Sequence, residues 1–379
     1  MGMSLVGLAL LMGQYGRASL GPQVKVVGDS VDVFVSAKAG NKRGYPNVRV
    51  PGLAVLPGGK LVAVCEGRQS GADQSGNVIL ARVSNDRGQK WGTEIKLAGN
   101  GVDSCSSPLI VNVGNTVFVH YSIFPKGTDS YSLSKGFEGK AQKTFYVRSD
   151  DGGASWSSPV DTTRAMRREG VQSINFGPGN GLVLRRGDHV GRIIIPAYER
   201  MGGAAASVAI YSDDKGASWQ VGSPVVARKG DYPNEVSMAE REDGSLLMNA
   251  RAAKNVGKRV QAISKDGGNS WSDFRIVEEL ADPVCHAGMV RARFANGSQK
   301  GVMLLSMPSA MGRRNGQIRV STDDGKSWPG TFYVTKDYFG YSVLVDLGNG
   351  EFGLMYEGAT GSPSNPNTFL RFTRLKLVG

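Results

Sequence analysis

SDDGGASW (149–156) and SDDKGASW (212–219) are two copies of one eight-residue pattern, S-x-D-x-G-x-x-W. The pattern returns as SNDRGQKW (84–91), SKDGGNSW (264–271) and STDDGKSW (321–328). All 5 tryptophans of the chain close such a box. Its aspartates fall at 86, 151, 214, 266 and 323, so the period runs from 52 to 65 residues, the range in which repeats build propellers or solenoids. One supersecondary unit is repeated, and the repeat decides the fold.

Apolar runs such as NVILARVS and TFYVRS lead into the boxes as strands do. Within a box the Asp side chain is expected to bond the backbone two residues on, the Gly to supply a positive φ, and the Trp to lay its apolar face on a neighbouring unit. The boxes thus read as fold markers rather than as ligand or metal loops. Six further stretches read as hairpins, beginning at Gly52, Ser107, Gly181, Val236, Gly288 and Tyr341. Five of them are followed by a box with two flanking strands. The sixth is followed only by FLRFTRLKLV, one strand short of a set, and VDVFVSA (31–37) supplies the missing strand. The reading is an all-β, six-bladed β-propeller of four-stranded antiparallel blades. Pairing of its first and last strands closes the ring and leaves no open sheet edge between first and last blade.

A length of 379 residues with 40% apolar residues and 53 glycines suits one closed, turn-rich propeller. MGMSLVGLALLMGQYGRASL at the start holds an apolar run of export-signal length, too short to cross a bilayer. Residues 1–20 are therefore expected to be a leader, residues 21–379 the propeller, and the protein secreted or periplasmic. A net charge of +12 admits nucleic acid, a membrane surface or an anionic small substrate as partner. With no block of five basic residues and no interleaved aromatic stripe, an anion-binding pocket is favoured over nucleic acid, and stable membrane insertion is not expected. Cys65, Cys105 and Cys285 cannot all pair and have no metal-ligand spacing; they read as buried thiols, with one disulfide open to them. The 3 histidines are scattered, so neither metal nor other cofactor is expected.

In a propeller the equivalent strand ends of all blades converge on one mouth, however far apart they lie in sequence. Glu66 and Arg68 end VAVCEGR, Glu199 and Arg200 end IIIPAYER, Arg251 ends LLMNAR and Glu357 ends GLMYE, while Arg49 (NVRVP) and Arg313 (MGRRNG) precede strands. Charges at such places are costly to bury unless they pair or bind a ligand, and salt bridges between blades are the plain alternative to a site.

With these features the chain resembles the Asp-box sialidase (neuraminidase) superfamily, in particular bacterial exo-sialidases, over nearly all of residues 31–379. NVRVP is similar to that family's F/Y-R-I-P motif, which implies that Arg49 is the first arginine of a triad. PNEVSMAEREDGSLLMNAR resembles the segment carrying the family's glutamate and second arginine, here Glu235 and Arg251. RRNGQIRVS implies Arg313 as the third arginine. GYSVLVDL and LMYE match the family's tyrosine and closing glutamate, Tyr341 and Glu357, and EGR followed by GAD gives Arg68 and Asp73. GVDSCSSP lies near a pocket position of the family, which implies a lining role for Asp103, although Ser107 is the residue before Pro108.

The resemblance implies hydrolysis of terminal sialic acids from sialylated glycans, glycoproteins or glycolipids. Arg49, Arg251 and Arg313 would clamp the sugar's carboxylate by charge-assisted, bidentate hydrogen bonds that lysines could not copy. Glu357 would hold Arg49, and Arg68 would border the ring hydroxyls. A carboxylate nucleophile would face the substrate's own anion, whereas a tyrosine is neutral until it reacts; sialidases are the recognised tyrosine exception among glycosidases. Tyr341 would attack, Glu235 would take its proton, and Asp73 would serve as acid and then base. Trans-sialidases add an exposed Trp, and here every Trp sits in a box, so hydrolysis is the better expectation. A non-catalytic Asp-box propeller binding glycan or protein is the alternative, and such binders have the boxes without the ordered arginines and tyrosine.

Overall fold

Six antiparallel sheets stand side by side around a central axis. The structure is a computed structural model and describes residues 22–37, 44–225, 233–252, 256–292, 302–310, 312–359 and 368–378. The expected leader lies outside them. From inner to outer strand, blade 1 is Asn47–Val55, Leu61–Arg68, Val78–Ser84 and Ile95–Ala98. Blade 2 is Ser104–Val113, Thr116–Phe124, Lys143–Ser149 and Val160–Asp161. Blade 4 is Val236–Glu240, Leu246–Ala250, Lys258–Ser264 and Arg275–Ala281. Blade 5 is Gly288–Ala292, Val302–Ala310, Arg314–Ser321 and Gly330–Tyr338.

The other two blades depart from the simple count. In blade 3 the inner strand is broken into Ser173–Phe176, Gly179–Asn180 and Leu182–Val183, ahead of Ile193–Met201, Ala204–Ser212 and Gln220–Val221. Its inner edge thus begins upstream of the hairpin expected from Gly181. The Gly179–Asn180 piece pairs in parallel with the inner strand of blade 2. Blade 6 consists of Ser342–Gly348, Glu351–Gly358 and Phe369–Val378, and the last of these carries Val31–Val35 on its outer edge as expected. Gln23–Val26 extends that closing edge along the same long strand, from Gln23 opposite Val378 to Val26 opposite Leu375. The ring is closed by the two ends of the described chain.

Each box stitches its own turn. In the third, the Ser212 hydroxyl donates to Asp214 Oδ1 at 2.8 Å and accepts the Gly216 N–H at 2.8 Å, while Asp214 Oδ1 accepts the Ser218 N–H at 2.8 Å. The Asp therefore bonds the backbone four residues on, not two, because the Ser hydroxyl already holds the Gly. Gly88, Gly153, Gly216, Gly268 and Gly325 all have φ between 80° and 93°, where a side chain would be strained. Each Trp packs on the preceding blade; Trp91, for example, meets Phe372 of blade 6 edge-on with ring centroids 5.7 Å apart. The core is accordingly divided among the six blade interfaces, as in the cluster of Leu53, Leu61 and Leu80 of blade 1 with Val343, Met355 and Phe372 of blade 6.

This packing gives the ring two unlike mouths. Boxes and inner hairpin turns gather at one. The starts of the inner strands, the ends of the second strands and the loops after them gather at the other.

Candidate active site

At that second mouth three guanidiniums from different blades meet one phenol. Arg49 comes from the inner strand of blade 1, Arg251 follows the second strand of blade 4, and Arg313 precedes the third strand of blade 5. Tyr341 stands just before the inner strand of blade 6. The Arg49 and Arg313 guanidinium carbons lie 5.0 and 5.1 Å from the Tyr341 ring centroid. Arg251 Nη1 donates to the Tyr341 hydroxyl at 3.1 Å and to Glu235 Oε2 at 2.7 Å, and the phenol donates to Glu235 Oε1. Ladder bonds between Arg251 N–H and Glu235 C=O, at 2.9 Å, hold these two residues side by side.

Glu357 is the anchor of the cluster. Its fully buried carboxylate accepts Arg49 Nε and Nη2 at 3.0 and 3.1 Å and the backbone N–H groups of Val50 and Tyr341 at 2.9 and 3.0 Å. Gly340 makes this possible, since a Cβ there would run into the Glu357 carboxylate. Val50, Ser107, Val284 and Arg313 are all left-handed, with φ of 58°, 55°, 59° and 55°, although none is glycine. For a β-branched residue such as Val50 or Val284 this conformation is costly and persists only where the surroundings over-determine it. Here a carboxylate takes the Val50 N–H, and the Val284 carbonyl accepts Arg313 Nη2 at 3.0 Å. Strain is thus concentrated where the arginines are aimed.

Arg68 and Asp73 complete the mouth from blade 1. Arg68 Nη1 donates to Asp73 Oδ1 at 2.7 Å, and Arg49 Nη1 lies 3.8 Å from the same oxygen. The Asp73 carboxylate is 71% exposed, on the irregular loop after the second strand. Among the described residues Arg49 and Arg251 each pair with a carboxylate, whereas Arg313 has no carboxylate partner and meets the Val284 carbonyl and the Tyr341 ring.

The charges tune one another. Burial, then the adjoining Glu235 carboxylate, drives the Tyr341 phenol well above its ordinary value, against Arg251, Arg313 and Arg49. Burial would raise the Glu235 carboxyl too, but the Arg251 charge and the Tyr341 hydrogen bond outweigh it and leave it below 4.5. At Asp73 burial likewise loses to Arg68, Arg49 and Arg313, and the carboxyl sits below its ordinary 3.8. Two carboxylates and a protonated phenol are the resting state near neutral pH.

Of the nine residues to which the resemblance gives a site role, eight are joined in this one network. Asp103 is not among them: its Oδ1 accepts the Lys126 N–H at 2.9 Å and so ties two loops together. The blade 2 inner strand begins at the next residue, Ser104, and its register breaks between Ser106 and Leu109. Sequence reasoning gave no role to Glu66, Tyr338 or His286. Tyr338, pushed up to about 12 by burial and by Glu357, stands beside Arg49 and Arg313; its one signal was its place three residues before Tyr341. The His286 ring centroid is 5.8 Å from that of Tyr341, and burial pushes its imidazole down to about 3. Cys65, Cys105 and Cys285 are free and buried. A cavity of about 680 Å³ opens at the opposite mouth, but Arg186, Arg87 and Arg291 there are already matched by Glu240, Glu351 and Asp324.

Residues 59–354 match the BNR repeat-like domain. The chain is 33% identical to a sialidase of Micromonospora viridifaciens over 367 residues, 91% of this chain and 55% of that protein. It is 31% identical to an anhydrosialidase of Macrobdella decora over 237 residues, 58% of this chain and 30% of that protein. The chain thus spans about half, or less, of the length of these relatives. Among solved structures, the Hadza microbial sialidase Hz136 superposes with a TM-score of 0.79 at 22% identity, covering 92% of this chain and 68% of that one. The intramolecular trans-sialidase from Ruminococcus gnavus superposes with a TM-score of 0.78 at 21% identity, covering 91% and 97%.

Proposed function

The chain belongs to the BNR repeat-like family, and from that premise we propose that it is an exo-α-sialidase, releasing terminal sialic acids from glycoproteins, glycolipids or other sialylated glycans. The observation that carries the reading is the meeting of Arg49, Arg251 and Arg313 around one buried phenol. The substrate carboxylate would take the open guanidinium of Arg313 and share those of Arg49 and Arg251. Among the described residues Arg313 is aimed at a phenol and has no carboxylate of its own, which inter-blade salt bridges alone do not explain.

The reaction would run through a covalent tyrosyl intermediate with net retention. Tyr341 holds its proton tightly, so it needs a base in contact, and the Glu235 carboxylate is that base. Arg251 Nη1, bonded to both, would stabilise the phenolate as it forms. Asp73 is charged in the resting state because three guanidiniums face it. A bound carboxylate would offset Arg49 and Arg313 and lift the proton affinity of Asp73, readying it as the acid for the leaving oxygen. Asp73 would then return as base to the water that displaces the phenol from the anomeric carbon and so cleaves the tyrosyl glycoside. Positioning and charge account for each step, so the mechanism calls for no metal or organic cofactor. Its place of action would be outside the cytoplasm, where sialylated glycans are displayed.

Two readouts test this on one reaction. Time-resolved NMR of sialyllactose turnover should show α-sialic acid as first product, and mass spectrometry of protein quenched during turnover should find the adduct on the Tyr341 peptide. The β-anomer first, or an adduct elsewhere, contradicts the mechanism. Binding of sialosides without turnover would favour a non-catalytic propeller.

A further inference from the structure

Glu357 and Glu66 use one device in successive blades. Each lies near the end of its blade's second strand, and each is almost fully buried. Each accepts the backbone N–H of a left-handed residue in the next blade's inner strand, Glu357 from Val50 at 2.9 Å and Glu66 from Ser107 at 2.7 Å. The inner-strand register breaks at both places, between Arg49 and Gly52 and between Ser106 and Leu109. Each glutamate also holds an arginine of the mouth: Glu357 takes Arg49 Nε at 3.0 Å, and Glu66 takes Arg68 Nε at 2.6 Å.

The difference lies in what the arginine does next. Arg68 Nη1 donates to Asp73 Oδ1 at 2.7 Å and to the Ala72 carbonyl at 3.4 Å, fastening a loop that has no strand or helix of its own. Asp73 therefore owes its place to Arg68, and Arg68 owes its place to Glu66. We propose that Glu66 is a positioning residue for the general acid: by clamping Arg68 it fixes where the Asp73 carboxyl stands against the leaving oxygen. The proposal rests on the reading of Asp73 as the acid of a retaining sialidase.

Leaving-group dependence tests it. A nitrophenyl α-sialoside departs with little protonation, whereas sialyllactose needs the acid. Wild-type protein should turn over both; if it turns over neither, the sialidase reading fails first. With Glu66→Gln, kcat/KM for sialyllactose should fall on the order of 10²-fold and that for the nitrophenyl substrate by less than about 5-fold. Adding Glu66→Gln to Asp73→Asn should cost nothing further on sialyllactose, since both act through one group. Equal losses on the two substrates, or additive losses in the double variant, would overturn the proposal. If Glu66→Gln lacks the wild-type circular dichroism, Glu66→Asp keeps the charge and shortens the reach; the ratio of the two kcat/KM values should again shift toward the nitrophenyl substrate, and an unchanged ratio counts against the proposal.

Discussion

The box turns and the arginine mouth are both dense in charge, yet they satisfy it over different distances. In a box, Asp214 is answered by Ser212 and Ser218, two and four residues away. At the mouth Arg49 is answered by Glu357, 308 residues on, and Tyr341 by Glu235, 106 residues back. The boxes can form in any one blade. The mouth exists only when the ring has closed and brought blades 1, 4, 5 and 6 together. Damage at the first should lower stability and spare the chemistry; damage at the second should do the reverse.

The sharpest way to break that division is Tyr341→Phe, which keeps the ring under the arginines and removes the hydroxyl. Sialoside hydrolysis should fall on the order of 10³-fold or more with little change in melting temperature. A comparable loss of stability instead would make Tyr341 a packing residue. At the boxes, Trp328→Ala empties a fully buried site at the blade 4–5 interface and should cost about 3–5 kcal/mol in stability, read by denaturant titration, with kcat per folded molecule unchanged. Arg313→Ala should cost about 2–3 kcal/mol in transition-state binding, a loss of about 10²-fold in kcat/KM, with the fold intact. Smallest is the effect of acid on the exposed boxes. The Ser218 hydroxyl and N–H hold the Asp214 carboxyl down at about 2, so its contribution is present above an unfolded value of about 3.9 and is lost as pH falls toward 2. Melting temperature should decline across that window. Replacing Ser218 by Ala should weaken this dependence, and an unchanged slope would remove the box carboxylates as its cause.

The site should lose function in its own pH window. Glu235 must be ionised to accept the phenol proton, and its carboxyl lies below 4.5. The acid limb of kcat/KM should therefore lie below the ordinary glutamate value of about 4.3, and a limb at or above that value would remove Glu235 as the base.

The same contrast governs what could be read from the sequence. Box chemistry is local, so the repeat disclosed the blade count, the glycine turns and the ring closure through Val31–Val35. The box Asp was misread by two residues, because the Ser hydroxyl competes for the nearer N–H. Gln23–Val26 escaped because its alternation, QVKV, is only four residues long and mostly exposed. Blade 3 was placed too late because glycines at 177, 179 and 181 break its inner strand. At the mouth, the arginines, Tyr341, Glu235 and Glu357 were legible only as strand-end charges and through family resemblance. Distances between residues hundreds of positions apart have no local signature. Glu66 was visible as a strand-end charge, but its work depends on a left-handed Ser107 in the next blade, which no pattern announces. Asp103 was reached by resemblance alone, and its carboxylate stands outside the arginine network, bonded to the Lys126 N–H.

Guanidiniums from separate blades would grip one acidic sugar above a phenol, and a crystal soaked with an unsaturated sialic acid analogue tests this most directly. The analogue's carboxylate should lie within hydrogen-bond distance of Arg49, Arg251 and Arg313, with its anomeric carbon over the Tyr341 hydroxyl. Density for the analogue in the cavity of the opposite mouth, or a carboxylate turned away from the three arginines, would contradict the account.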